Sequence, residues 1–295
     1  MDKYKITVFT PTYNRANTID RLYKSLLLQT FYNFEWIIID DGSTDNTRLI
    51  VEKIIQDNKI KVKYKRVNNG GKHRAINLGV RISEGEYFFI VDSDDYLIEN
   101  SLESINYWLN TLDKEEDFIG VAGKKGFDLD HEVGTSFKKE YIDCTNLERE
   151  KYNISGDKAE VFKTQLLKRY PFPEFEGENF IAESLVWNRI ANDGYKLRWF
   201  NEIIYICEYR DDGLTKMGNE KFINNFEGYV LRTKELIKYN ISLKSKIMKV
   251  FKCFYIGKLK GIDYRVLGSK LGIKNIFAKI IYVVVCLYSM KEGKK

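Results

Sequence analysis

Three prolines in 295 residues, and no low-complexity tract, argue against extended disorder. Cysteine is scarce as well. Cys144, Cys207, Cys253 and Cys286 stand far apart and match no metal-ligand spacing, which points to a reducing compartment. Long apolar runs are absent: the longest in the tail, Ile280–Tyr288, is nine residues behind Lys279, whereas spanning a bilayer takes about 20. The charged opening Met1-Asp2-Lys3-Tyr4-Lys5 runs straight into a strand-like stretch, so no signal peptide is expected. No internal repeat is found. What is present, 44% hydrophobic and 14% aromatic residues, suffices for one large domain or a catalytic domain with an appended helical region.

The net charge of +6 hides an asymmetry. Residues 234–295 carry 15 Lys and Arg against 3 Asp and Glu, a local balance of +12 that leaves the remainder acidic. A basic region on an acidic body suggests contact with an anionic surface, either lipid or nucleic acid. The tail shows no aromatic-basic motif of a nucleic-acid module, so no nucleic-acid partner is expected.

Strand and helix patterns alternate through the first half. Lys5–Phe9 and Glu35–Asp40 read as strands, the second through Trp36-Ile37-Ile38-Ile39. Between them Ile19, Leu22, Tyr23 and Leu26 recur at helical spacing behind Asn17 as cap. A helix over 44–56, a strand over 61–67, a helix over 73–82 and a strand at Tyr87–Asp92 follow. Asn100 and Glu103 form a capping-box pattern for a helix reaching Leu112. Residues 124–156 are polar and irregular and give no assignment. Alternation resumes with Ala159–Phe162, a loop over 170–178, a helix from Ile181 to Asn192 ended by Gly194, and strands Lys196–Phe200 and Ile203–Tyr209. The expected fold is α/β, a mixed, mainly parallel sheet with helices on both faces and a C-terminal helical region.

The chemistry-bearing residues sit where such a sheet binds ligands, beyond the carboxyl ends of strands. Thr10-Pro11-Thr12-Tyr13-Asn14-Arg15 follows the first strand and Asp40-Asp41-Gly42-Ser43 the second. Asn68-Asn69-Gly70-Gly71-Lys72 follows the third and Asp92-Ser93-Asp94-Asp95 the fourth. Each cluster alone reads as a turn; together they describe one rim. Two carboxylates about 4 Å apart repel by roughly 4 kcal/mol at an effective dielectric near 20. The Asp92/Asp94 pair therefore calls for a cation, most simply a hard divalent metal shared with substrate phosphates.

From Val8-Phe9-Thr10-Pro11-Thr12-Tyr13-Asn14-Arg15, through Gln29-Thr30-Phe31, Ile39-Asp40-Asp41-Gly42-Ser43-Thr44-Asp45, Asn69-Gly70-Gly71, Asn77-Leu78-Gly79 and Gly85-Glu86-Tyr87 to Asp92-Ser93-Asp94-Asp95, the order and spacing resemble family 2 inverting, nucleotide-sugar-dependent glycosyltransferases of GT-A fold. The resemblance covers about residues 4–215. It implies a catalytic domain over 1–216, with a nucleotide half over 1–123 and an acceptor half over 124–216, before a basic helical region over 217–295. It further implies that Thr10, Pro11, Thr12, Tyr13 and Arg15 line the nucleotide, and that Asp41 accepts from a uracil N–H. Gly71 and Lys72 approach ribose or phosphates, Asp92 and Ser93 lie toward the ribose, and Asp94, with Asp95 as helper, holds Mn²⁺ or Mg²⁺. The implied partners are a UDP-sugar donor and a glycan or lipid-linked saccharide acceptor.

Two departures stand out. Aligned through Trp187 and Arg189, the chain has Ala182-Glu183 where members often carry Glu-Asp, which gives the catalytic-base role to Glu183, with Glu178 as rival. The Gln-x-x-Arg-Trp motif of processive synthases is absent, since Leu197-Arg198-Trp199-Phe200 lacks the glutamine, so one sugar per encounter is expected. Arg210, with Gly213-Leu214-Thr215, is a candidate to close over phosphates or else a surface ion pair. The tail is either a core helix or a basic interfacial segment, the second giving a cytoplasmic enzyme peripheral on the inner face of the membrane. The competing readings are a nucleotidyltransferase, disfavoured because Thr10–Arg15 lacks a glycine-rich phosphate loop, and a non-catalytic nucleotide-sugar-binding module.

Overall fold

The computed structural model describes residues 4–113, 116–208 and 218–292, with side chains through residue 290. Two compact units divide the chain: Met1–Phe172 with Val186–Tyr209, and Pro173–Leu185 with Arg210–Lys295.

The first unit is built on one sheet. Its strands are β1 (Tyr4–Thr12), β2 (Phe34–Asp40), β3 (Val62–Arg66), β4 (Gly85–Ile90), β5 (Tyr96–Leu97), β6 (Phe118–Gly126), β7 (Tyr141–Cys144), β8 (Lys158–Lys163) and β9 (Lys196–Ile206). They lie in the order β3-β2-β1-β4-β8-β6-β9-β5, with β7 against β9. The pairs among β1–β4 are all parallel, and β8 joins β4 and β6 antiparallel. The two strands expected over 196–209 form the single strand β9 through residue 206: β7 pairs it up to Phe200, Asn201 N donates to Glu140 O at 2.9 Å, and β6 resumes pairing at Ile203 after a register shift.

The helices of this unit are α1 (Ile19–Leu27), α2 (Thr47–Asp57), α3 (Lys72–Ile82), α4 (Ser101–Asn110), α5 (Thr164–Leu167) and α6 (Ser184–Asn192), whose first two residues fall in the other unit. Every residue of β2 is buried, as a strand covered on both faces requires. Ile19, Leu22, Tyr23 and Leu26 of α1 pack in one core with Ile6, Val8, Trp36 and Ile38. Each such side chain fully buried stabilises by about 1.5–3 kcal/mol. On the other face α3 meets Phe9, and a Cβ at Gly79 would stand 2.2 Å from that ring, so only glycine lets the helix sit so close.

Two expected caps differ. The N-cap of α1 is Thr18, not Asn17, and no side chain caps it. Asn100 does begin α4, but without a capping hydrogen bond. Glu103 instead accepts from the Thr30 hydroxyl at 2.7 Å, because Gln29 already anchors this helix by accepting from Leu102 N and donating to Ile98 O. Gly194 ends α6 as expected, at φ +93°. Residues 124–156 hold the end of β6, the strand β7 and a 3₁₀ helix at Asn146–Tyr152 capped by a Thr145/Glu148 box.

The second unit is helical: α7 (Glu220–Asn224), α8 (Phe226–Leu236), α9 (Leu243–Leu259), α10 (Tyr264–Leu271) and α11 (Asn275–Glu292). Phe226, Phe254, Leu267, Ala278 and Val285 are among its own core. Ser242 and Asp263 cap α9 and α10 with their side chains. No described helix is long and apolar enough to cross a membrane.

Candidate active site

Strand order 3-2-1-4 means that the chain leaves β1 for β2 on one side and returns with β4 on the other, which opens a crevice beyond the carboxyl ends of β1 and β4. Register sets the rim: Thr12 pairs with Asp40, and Phe9 with Ile90.

Short-range bonds lock the first two clusters together. Asn14, at φ +53°, accepts at its carboxamide oxygen from Thr44 N at 2.8 Å and donates its own N–H to Ser43 Oγ at 2.9 Å. Asp40 is fully buried and accepts from Ser43 N and the Tyr64 hydroxyl, both at 2.7 Å. Asp41 accepts from Gly70 N and Gly71 N, each at 2.8 Å, one per carboxylate oxygen. Burial raises the Asp41 pKa above its ordinary value against the pull of those amides. Gly42 must be glycine: at φ +84° a Cβ would meet Asn69 N at 2.8 Å. Gly71, at φ +95°, turns the chain into α3.

The β4 end carries the charges. Lys72 Nζ lies 2.6 Å from Asp92 Oδ1, and Arg15 Nε lies 3.3 Å from Asp94 Oδ2. Burial opposes charge on Asp92, but Lys72, Lys125 and Arg15 outweigh it and hold its pKa below the usual carboxylate value. Asp95 is buried and accepts from the Tyr205 hydroxyl at 2.7 Å and from Glu208 N at 3.0 Å. Burial, then Asp92, push its pKa to about 6.

Sequence reasoning missed two members of this cluster. Lys125, near the end of β6, sits 4.1 Å above the Tyr205 ring. Burial disfavours its charge, yet Asp92, Cys207 and Asp95 keep its pKa above that of an ordinary lysine. Tyr205 also receives the Asp92 N–H on its hydroxyl at 2.9 Å. Neither residue lies in a motif, and only their strand pairings bring them here.

The expected residues therefore separate. Tyr13, Arg15, Asp41, Gly71, Lys72, Asp92, Ser93 and Asp94 gather at one rim, with Tyr13 exposed and Ser93 buried. Thr10 is fully buried and its hydroxyl accepts from the Trp36 indole at 2.9 Å, so this side chain is engaged in the core. Pro11 and Thr12 are buried within β1. Trp187 is likewise a core residue, 4.2 Å from the Phe162 ring and 5.8 Å from Phe172. Arg210 and Gly213-Leu214-Thr215 lie outside the described residues.

Glu178 and Glu183 belong to the second unit. The Glu178 carboxylate is buried and accepts from Glu227 N at 2.6 Å and Gly228 N at 2.9 Å, capping the first turn of α8 from 49 residues away. Asn225 replies by accepting from Asn179 N and Phe180 N. Glu178 is thus a structural residue; Glu183 is half-buried just ahead of α6.

Among the described residues no three His, Cys, Asp or Glu side chains form a metal cage. The rim fits the other pattern, in which a hard divalent cation is shared between one or two carboxylates and substrate phosphates. Asp92 is spent on Lys72 and Asp95 on Tyr205 and Glu208. Asp94, partly exposed as Asp92 is, has its own cation in Arg15.

The model of the family described as "Glycosyl transferase family 2" matches residues 7–168, more than half of the chain. The poly(ribitol-phosphate) beta-N-acetylglucosaminyltransferase TarS of Staphylococcus aureus is 33% identical over 167 residues, covering 56% of this chain and 28% of that protein. The GalNAc(5)-diNAcBac-PP-undecaprenol beta-1,3-glucosyltransferase of Campylobacter jejuni is 26% identical over 242 residues, covering 77% of this chain and 72% of that one. The crystal structure of S. aureus TarS 1–349 in complex with UDP aligns with a TM-score of 0.61 at 25% identity, covering 92% of this chain and 76% of that one. The chain spans about a third of the length of the first curated relatives it matches.

Proposed function

The chain belongs to glycosyl transferase family 2, and on that footing we propose that it is an inverting, non-processive enzyme transferring a hexosyl or N-acetylhexosaminyl group from a UDP-sugar. The acceptor is a hydroxyl of a glycan or lipid-linked saccharide in surface polysaccharide synthesis, and the reaction runs on the cytoplasmic side of the membrane. The observation that carries this reading is the rim where Arg15 and Lys72 face Asp94 and Asp92 across the β1/β4 crevice. UDP as carrier is supported by the UDP complex of TarS. A lipid-linked acceptor is supported by the undecaprenol-linked substrate in the name of the Campylobacter relative.

Each residue then has a task. Asp41, already holding the Gly70 and Gly71 amides, retains lone pairs to accept one uracil N–H, because a carboxylate only accepts. Tyr13 offers an exposed ring beside the base. Lys72 and Arg15 present cations to ribose and diphosphate. Asp94 would hold Mn²⁺ or Mg²⁺, which when bound supplies Lewis-acid neutralisation of the leaving diphosphate. Glu183 accepts the proton of the acceptor hydroxyl as that oxygen bonds to the anomeric carbon. The bond from that carbon to the UDP oxygen breaks on the opposite side, which inverts the configuration.

Addition of one sugar per encounter is supported by the use made of Arg198 and Trp199. Arg198 grips Asp143 through Nε and Nη2 at 2.8 and 2.7 Å, and Trp199 is buried and donates to Cys144 O at 3.0 Å. The pair fastens β9 to β7 and is not offered to a growing glycan. The test is thermal stabilisation of the full chain by UDP-glucose, UDP-galactose, UDP-N-acetylglucosamine and GDP-mannose, each with Mn²⁺, followed by UDP release with saccharide acceptors. Stabilisation by a UDP-sugar and acceptor-dependent UDP release are expected. A chain that neither binds these nucleotides nor releases UDP overturns the reading.

A further inference from the structure

Helix α11 is apolar on every side yet packed on only one. Ala278 and Val285 are buried in the C-terminal core, with Ile281 and Tyr282 against it. On the opposite side Ile276, Ile280, Val283 and Leu287 recur at helical spacing beside Phe277 and Val284, all exposed, with Ile276 at 67% and Leu287 at 58%. The partner helix α9, which meets α11 where the Phe251 and Tyr288 rings lie 5.5 Å apart, adds exposed Ile247 and Met248. A helix apolar all round belongs in a core or in lipid, and a contiguous exposed apolar patch marks an interaction surface. Around it the chain is basic: residues 234–295 carry a balance of +12, and Lys244, Lys252, Lys274 and Lys279 are exposed.

We propose that this face seats the protein on an anionic bilayer surface, with α11 lying in the interface, its outward residues among the acyl-chain roots and the lysines at the headgroups. The charge selects this occupant. A second copy would bring two strongly basic regions together, and a nucleic acid would use the lysines but leave the apolar stripe in water. No described helix is long and apolar enough to cross a membrane, and in α11 Lys279 interrupts the apolar residues. The inference deepens the lipid-linked acceptor of the proposed function by naming the face and the lipid charge, yet binding is measured with no sugar present.

The experiment is flotation of the full chain with phosphatidylcholine vesicles, with and without phosphatidylglycerol. Binding to the anionic vesicles that weakens with added salt is expected. The doubly substituted Ile280→Glu/Leu287→Glu chain should bind about tenfold more weakly or worse, with an unchanged melting temperature because both sites face solvent. Lys279→Glu, which leaves the apolar face intact, should lower binding to the anionic vesicles only. Transfer to a water-soluble acceptor should be unaffected by all three changes, so loss of vesicle binding and loss of transfer are separately read. No flotation of the unaltered chain, equal flotation of the double variant, or a dimer by light scattering that the double variant abolishes would each overturn the proposal.

Discussion

Lys72 Nζ and Asp92 Oδ1 stand 2.6 Å apart, tying the first residue of α3 to the loop leaving β4. The contact joins the segments that follow β3 and β4, and it helps keep Asp92 ionised inside a crowded cluster. Lys72→Met should weaken UDP binding by about tenfold, the scale of one charge-assisted contact. Calorimetric titration checks it, and an unchanged affinity would remove Lys72 from the nucleotide site.

Asp94 should govern the response to metal. In the unaltered chain UDP affinity is expected to rise on adding Mn²⁺, and in Asp94→Asn the ratio of affinities with and without Mn²⁺ should fall toward one. A retained Mn²⁺ effect would transfer the role to another carboxylate.

Glu183 and Glu178 should part company. Glu183→Gln is expected to lower turnover by about 10²–10⁴-fold, the usual worth of a general base, with UDP-sugar binding nearly unchanged. Glu178→Gln replaces one acceptor with a donor opposite an α8 amide and should cost about 1–2 kcal/mol of stability, with turnover per folded molecule retained. Steady-state kinetics alongside thermal melts separate them.

Lys158 offers a pH test remote from the rim. It is buried, its Nζ donates to Val133 O and Ser155 O at 2.7 Å each, and burial, then Arg149, lower its pKa to about 8. Between about 8 and the ordinary lysine value of 10.5 the unfolded chain holds a proton that the folded chain has lost. Stability from this group therefore rises with pH across that window and is lost as pH falls through about 8. Relative to Lys158→Met, the unaltered chain should gain up to about 3 kcal/mol of unfolding free energy over that range. Urea melts at a series of pH values check it.

The strands over residues 1–92 and the polar clusters after them were legible because their signals are local. Trp36-Ile37-Ile38-Ile39 is too apolar for anything but a strand covered on both faces, and each strand runs directly into its polar cluster. Contacts made across long sequence distances were not legible. Lys125 looks like any lysine in a polar stretch until β6 and β9 pair and set it over Tyr205. Glu178 reads as a free acid because the first helical amide that it caps lies 49 residues later. Thr10 belongs to a motif, but the alternation of β1 turns its hydroxyl inward to Trp36. The Asn100/Glu103 pattern met its spacing rule and still lost to Gln29, a residue on another helix's end.

The clasp between Glu178 and the start of α8 also bears on how this scaffold can be re-engineered. Glu178 and Glu183 are five residues apart on one short stretch, so the stretch cannot be exchanged as an independent cassette. A chimera that imports residues 173–183 from a cousin with another acceptor would sever the Glu178 bonds to Glu227 and Gly228 and the Asn225 bonds to Asn179 and Phe180. Such a graft must bring residues 225–228 along, and exchange of this stretch is therefore a two-segment operation.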